Sequence, residues 1–161
     1  MQITLKFILT LSISFWVGSI FFFSFFAAPS IFKILPRETA GNVVSDIFPK
    51  YYMVAYLCGI VAVISSLLLI FIGNHKISGL HGIKTLGILI MLGLALYAGQ
   101  VIRPEAHSVR TEMRGVGESS PNYPELRKNF STLHMKSAII NLVVFIMGIA
   151  IVFINTYTYR N

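Results

Sequence analysis

Apolar residues fall in four long blocks separated by polar stretches of very unequal length. The blocks run from Phe7 to Ala28, Tyr51 to Gly73, Ile83 to Ile102 and Met135 to Ile154. A helix needs about 20 mostly apolar residues to cross ~30 Å of hydrocarbon at ~1.5 Å per residue, and each block reaches that length. None holds Asp, Glu or Arg, and Lys84 and Lys136 stand at block ends, where a long side chain can snorkel toward the headgroups. Helix is the required conformation, because an open strand in lipid leaves its N–H and C=O groups unpaired. The pattern predicts an all-α polytopic membrane protein with one domain over residues 1–161. Its form is a four-transmembrane-helix bundle with a short interfacial helix and an extended helical hairpin on one side.

The polar stretches place those extra elements. Residues 74–82 form a short outer turn. After Pro29 the chain stays apolar to Leu35, and Pro36-Arg37-Glu38-Thr39 opens a helix with proline in its first turn. Ala40, Val43, Val44 and Ile47 follow at helical spacing, which suits a helix lying in the interface, with Phe48-Pro49 as its stop. In the 103–134 loop, Ala106, Val109, Met113 and Val116 mark one helical face. The third helix therefore continues past the membrane, with a kink at Pro104, which has no N–H for Gln100. Gly115 to Pro121 is turn chemistry, and Asn122 with Glu125 has the residue types of a capping box. Leu126, Phe130 and Leu133 form the returning apolar stripe.

The first block, after Lys6, has the position of a signal peptide. Its apolar run exceeds the roughly 7–15 residue core of one, and its small-residue site, Phe26-Ala27-Ala28, begins with a bulky residue and is followed by Pro29. It reads as a retained span.

Composition sharpens the class. Hydrophobic residues are 55% of the 161 and charged residues 12%, against about 25% charged in soluble domains. The lone Cys58 excludes an intrachain disulfide. The net charge of +7 would point to nucleic acid in a soluble chain; here the cations orient the spans, and no nucleic-acid partner is expected. Lys33, Arg37, Lys50, Arg103, Arg110, Arg114, Arg127, Lys128 and Lys136 share one side, against Lys6, Lys76, Lys84 and Arg160 on the other. By the positive-inside rule the 29–50 and 103–134 loops face the cytoplasm of a plasma-membrane protein whose termini both lie outside. Tyr51, Tyr52 and Tyr56, and at the other face Tyr157 and Tyr159, suit interfacial belts.

Helices in lipid associate through small residues and polar contacts. Ala55, Gly59, Ala62 and Ser66 line one face of the second helix, and Ala95 and Gly99 pair on the third. On the fourth, His134, Ser137, Asn141 and Gly148 form one stripe, expected to face inward because a lipid-exposed Asn is costly. Trp16 lies at mid-depth and its N–H needs an acceptor, so it too should face inward. Arg103, Trp16, His134, Ser137 and Asn141 are thus the candidate inward polar or ligand face.

The chain resembles the transmembrane protein 205-like family, also catalogued as domain of unknown function 4149. The resemblance rests on Phe15-Trp16-Val17-Gly18, Ala28-Pro29 with Phe32, Leu35-Pro36-Arg37-Glu38-Thr39-Ala40-Gly41 and Phe48-Pro49-Lys50-Tyr51-Tyr52. It continues through Arg103-Pro104-Glu105, Leu126-Arg127, Asn129-Phe130 and Leu133-His134 with Ser137 and Asn141. It implies a four-span fold and a membrane location, and no reaction. The chain is distantly similar to copper-resistance D-like membrane proteins and to a haem-linked protoporphyrinogen oxidase family, but their ligand pattern is not found.

No catalytic constellation emerges. Asp46 is the sole Asp and no block holds a carboxylate, which argues against a proton relay or ion-coupled pump. His75 and His81 are six apart and read as loop residues; Cys58 reads as a small hydrophobe. His134 either bridges helices through a hydrogen bond or contacts a ligand. Arg103 pairs with Glu105, binds lipid phosphate or holds an anionic ligand. Two classes follow. One is a non-enzymatic membrane protein presenting a basic cytoplasmic surface to anionic lipid headgroups or a partner. The other handles a soft, copper-like metal or haem through the His134 face, with His107, Met113, Met135, Met53 and Cys58 as further donors. Transport through four spans would require a homo-oligomer. The residues name no cofactor.

Overall fold

The computed structural model describes residues 1–73 and 79–160, with side chains described through Thr156. Residues 74–78 of the outer turn, His75 and Lys76 included, lie outside the described residues, as do the side chains of Tyr157, Tyr159 and Arg160. The described residues form six α-helices: α1 Gln2–Phe22, α2 Ala28–Ile34, α3 Arg37–Gly73, α4 Leu80–Tyr97, α5 Arg103–Val116 and α6 Tyr123–Arg160. Two π turns, Phe23–Ala27 and Ala98–Ile102, join α1 to α2 and α4 to α5 without a break. Four continuous rods result, each long and apolar enough to cross a membrane, and the protein is an integral multi-pass membrane protein.

The rods form a ring in chain order: α1 packs on α3, α3 on α4, α4 on α6, and α6 back on α1. Every rod turns a seam of alternating three- and four-residue steps inward. On α1 the seam is Leu9, Ile13, Trp16 and Ile20; on α3 it is Ala55, Gly59, Ala62, Ser66 and Leu69. On α4 it is Lys84, Ile88, Met91 and Ala95, continued by Ala98 of the π turn, and on α6 Val144, Gly148, Ile151 and Asn155. That spacing is the period that packs knobs into holes at a shallow crossing angle. Large and small residues alternate across the ring: a Cβ on Gly59 would lie 3.1 Å from Cζ3 of Trp16. Outside the seams Phe, Leu, Ile and Val remain exposed, as at Phe15, Leu57, Leu89 and Ile146, which is the arrangement expected of helices solvated by lipid tails.

Prolines explain the irregularities. Each π turn ends two residues before a proline, at Ala27 before Ala28-Pro29 and at Ile102 before Arg103-Pro104. The N–H of the residue before the proline reaches back five positions, Ala28 to the Phe23 carbonyl and Arg103 to that of Ala98. A proline has no N–H and its ring crowds the carbonyl four residues back, so one wider turn absorbs the mismatch. The expected kink at Pro104 therefore appears as a π turn. Leu35, extended at φ −102° and ψ 148° before Pro36, separates α2 from α3, as the residue preceding a proline prefers.

Pro49 departs from expectation. The interfacial helix and the second span are one helix, Arg37–Gly73, with Pro49 inside it. An internal proline costs about 3 kcal/mol or more. The segment before it is held by other contacts: Ala40 and Val44 are buried, and the hairpin grips residues 38–45 as described below. Tertiary contact outweighs the local stop signal.

The hairpin forms as expected. α5 ends at Gly117, whose φ of 74° favours glycine and whose N–H bonds the Met113 carbonyl at 3.2 Å. Ser120 then closes the turn, accepting the Asn122 N–H on its hydroxyl. Ile102, Val109 and Leu133 form a second core, flanked by Ala106, Met113, Leu126 and Phe130.

Among the described glycines the tightest surroundings are at Gly99, where an added Cβ would collide with the Tyr56 hydroxyl and press on the Tyr52 ring. Gly93, one and a half turns away, has open space. Gly99→Leu is expected to destabilise the bundle by about 1–3 kcal/mol through overpacking, while Gly93→Leu stays near neutral. Unfolding midpoints in detergent measure both; equal effects at the two positions would contradict the packing.

Candidate functional site

Polar groups gather in two tiers, with the apolar middle of the bundle between them. The hairpin-end tier is built from α3, the π turn Ala98–Ile102 and α6. Tyr51 donates its hydroxyl to Oδ1 of Asn141 at 3.3 Å, Tyr52 and Ser137 share a hydroxyl hydrogen bond at 3.2 Å, and Gln100 donates to the Tyr56 hydroxyl at 3.4 Å. Tyr51 and Tyr52 are buried in an aromatic cluster with Phe23 and Phe48, ring centroids 5.2–6.3 Å apart. The expected belt residues Tyr51 and Tyr52 therefore face the bundle. Their spacing from Ala55, in register with the small-residue seam, was the signal for this.

At the opposite end, Lys84 donates to Oδ1 of Asn155 at 2.9 Å, and Asn155 donates to the Thr10 hydroxyl at 2.8 Å. Ser66 and Thr85 share a 2.6 Å hydrogen bond, and Thr85 also reaches the His81 carbonyl. Lys84 was expected to snorkel; it is 1% exposed instead. Its position on the α4 seam, four residues before Ile88, turns it inward. The apolar blocks alone did not reveal Asn155, one residue past the fourth.

The candidate inward set divides. Trp16 is 1% exposed and belongs to the apolar core. Ser137 and Asn141 face inward and bind the tyrosines. Arg103, Ser137 and His134 meet at a cleft of about 210 Å³ between α3, α5 and α6. Phe48, Tyr52, Phe130 and Leu133 supply its apolar wall, and Ser45, Arg103, His107, Arg110, His134 and Ser137 its polar lining. His134 is exposed at the rim and stacks on Phe130 at 6.4 Å and 14°. The buried seam position beside it is Leu133, one residue earlier, so His134 does not head an interior stripe. A shallower groove of about 640 Å³ on the outer face of α5 shares Arg103 and His107; the smaller cleft is the better enclosed.

The two arginines of this cleft differ. Arg110 is committed to the neighbouring helix: it donates to the Gly41 carbonyl, the Ser45 hydroxyl, the Glu38 carbonyl at 3.2 Å and Oδ1 of Asn42 at 3.3 Å. Arg114 adds a bond to Asn42 and lies 3.9 Å from Glu38. Gly41 permits this clasp, since a Cβ there would strike the guanidinium. Arg103 makes no hydrogen bond or ion pair with any described residue, and Glu105 is not its partner; residues two apart do not face each other on a helix.

The donors of the soft-metal reading do not converge. His107 and His134 share the cleft, but Met53 and Met135 are 55% and 60% exposed. Met113 packs in the hairpin core and Cys58 against the main one. Among the described residues no group of three or more His, Cys, Asp or Glu could hold a metal ion.

Arg110→Met is expected to loosen the hairpin locally. A hydrogen bond to a charged group contributes about 1.5–3 kcal/mol, enough for roughly tenfold faster amide exchange across residues 103–135. Arg127→Gln, an exposed cation on the same hairpin, serves as control. Unchanged exchange in the Arg110 variant would show that the clasp does not hold the hairpin.

Comparison with known proteins gives a family profile, described as a domain of unknown function, DUF4149, that matches residues 11–115. An uncharacterised protein of Aquifex aeolicus is 41% identical over 98 residues, which cover 61% of this chain and 66% of that protein. The match thus falls just short of two thirds of the relative's length. No solved structure matches.

Proposed function

The chain belongs to the DUF4149 family, and from that premise we propose that it is a non-enzymatic membrane protein whose hairpin end engages anionic lipid headgroups. The observation that carries this reading is the ordered hairpin end itself. Arg37, Lys33, Arg127, Lys128 and Lys136 stay exposed there, beside a helix pair clasped in place by Arg110. A Lys or Arg near an anionic leaflet contributes about 1 kcal/mol, so several exposed at this end add up to an effective contact surface.

The Lys and Arg count, nine at this end against four at the other, supports an orientation with the hairpin in the cytoplasm and both termini outside. It suits the plasma membrane, whose inner leaflet is anionic. The resemblance to the transmembrane protein 205-like branch agrees with a four-span membrane location and adds no activity. The copper or haem alternative has no specific observation in its favour, given where Met53 and Met135 lie.

Hydrogen exchange of the full chain in lipid nanodiscs tests the reading. Adding phosphatidylglycerol to phosphatidylcholine is expected to slow exchange over residues 103–135 at low salt. The difference should shrink as the screening length falls from about 10 Å at 0.1 M salt to about 3 Å at 1 M. Exchange independent of lipid charge at every salt concentration would overturn it.

A further inference from the structure

The charge at the hairpin end is not spread evenly. Nine cations lie there, but so do all six carboxylates, Glu38, Asp46, Glu105, Glu112, Glu118 and Glu125, leaving nine minus six, or +3. Some of that charge is neutralised locally, as in the exposed Lys50–Asp46 pair at 2.6 Å. A diffuse field of this size draws anionic headgroups to the surface without fixing where one of them sits. The cleft between α3, α5 and α6 is different: no carboxylate is among its lining residues. Its rim carries two imidazoles, His107 and His134, and a guanidinium, Arg103, that is half-buried and bonded to no described residue. Its wall is aromatic, from Phe48, Tyr52 and Phe130.

We propose that this cleft is a binding site for one anionic phospholipid, its phosphate seated on Arg103 between His107 and His134. The inference rests on the reading above and narrows it from a surface to a site. Three features select a lipid. The first is depth: Val101 and Met53 are exposed apolar residues close in sequence to Arg103 and Tyr52, so the cleft opens where hydrocarbon gives way to headgroups. The second is size. At about 210 Å³ it is smaller than the ~300–1,000 Å³ of sites that engulf a drug-sized ligand; it takes a headgroup and leaves the acyl chains in the bilayer. The third is chemistry, since a planar guanidinium matches phosphate oxygens two at a time, and Arg110 beside it is already occupied by α3.

Native mass spectrometry of the full chain in detergent, titrated with phosphatidylglycerol or phosphatidylcholine, tests the site. One phosphatidylglycerol is expected to bind per chain in preference to phosphatidylcholine. Arg103→Met should weaken it by tenfold or more and Arg103→Lys by less. The double variant Arg127→Gln with Lys128→Gln, which thins the surrounding surface charge and leaves the cleft intact, should weaken it by less than Arg103→Met does. An unchanged unfolding midpoint for Arg103→Met confirms that the variant is folded. Equal losses in the Arg103 and the Arg127/Lys128 variants would overturn the site while leaving the surface reading intact. No preference for phosphatidylglycerol in any variant would overturn both. Displacement of the lipid by equimolar inorganic phosphate would show a free-phosphate site and overturn the lipid assignment.

Discussion

A polar group placed in hydrocarbon must find its partner inside the protein, and this constraint organises the molecule. Oil cannot drive helices together as water does, so their association depends on close packing and on hydrogen bonds between them. Here the two contributions are separated by depth. The middle of the bundle is steric, with Trp16 against Gly59 and the Met91 and Val17 side chains against Gly148. The polar contacts lie toward the ends, where Tyr51, Tyr52 and Tyr56 meet α6 and the π turn after α4 at one level and Lys84, Asn155 and Thr10 meet at the other. Hydrogen bonds of this kind average about 0.6 kcal/mol in membrane proteins. Their weight lies in specificity, since each fixes the rotation and register of a helix whose apolar faces would otherwise pack in several ways.

The same constraint gives the two ends unequal roles. At the end of the termini the embedded polar groups bond one another across helices. At the hairpin end the rods extend beyond the apolar blocks, and α3 and α5 are joined by Arg110 reaching across to residues 38–45. That clasp lets a helix run through Pro49 and leaves a cleft beside it. One arginine serves the structure and the other, Arg103, lines the cleft and bonds no described residue. The division follows from position on α5. Arg110 faces Gly41, where the absence of a side chain opens room, and Arg103 follows the π turn that re-aims the helix before Pro104.

Much of the fold was legible in the sequence because the signals were long and local. Twenty apolar residues announce a span, and Ala106, Val109 and Met113 announce the inner face of α5. The inward placement of Trp16, Ser137 and Asn141 followed from the cost of exposing polar atoms to lipid. Less legible were features that depend on a distant partner. Tyr51 reads as an interfacial tyrosine until Asn141, ninety positions later in the chain, supplies an acceptor. Lys84 reads as a snorkelling end residue until Asn155 is beside it. Pro49 reads as a stop until Arg110 and Arg114 hold the preceding turns. His134 lies one residue off the seam, and a stripe with offsets of three, seven and fourteen accommodates either Leu133 or His134 at its head.

The orientation of α6 tests the central constraint most directly, since this helix carries both an apolar outer face and a polar inner one. Spin labels placed singly in a Cys58→Ser background, in lipid nanodiscs, would report oxygen accessibility along it. High accessibility is expected at Ile139, Ile146 and Phe153, which are exposed, and low accessibility at Asn141, Val144 and Ile151, which face the bundle. Uniform accessibility along the helix, or a maximum at Asn141, would contradict it.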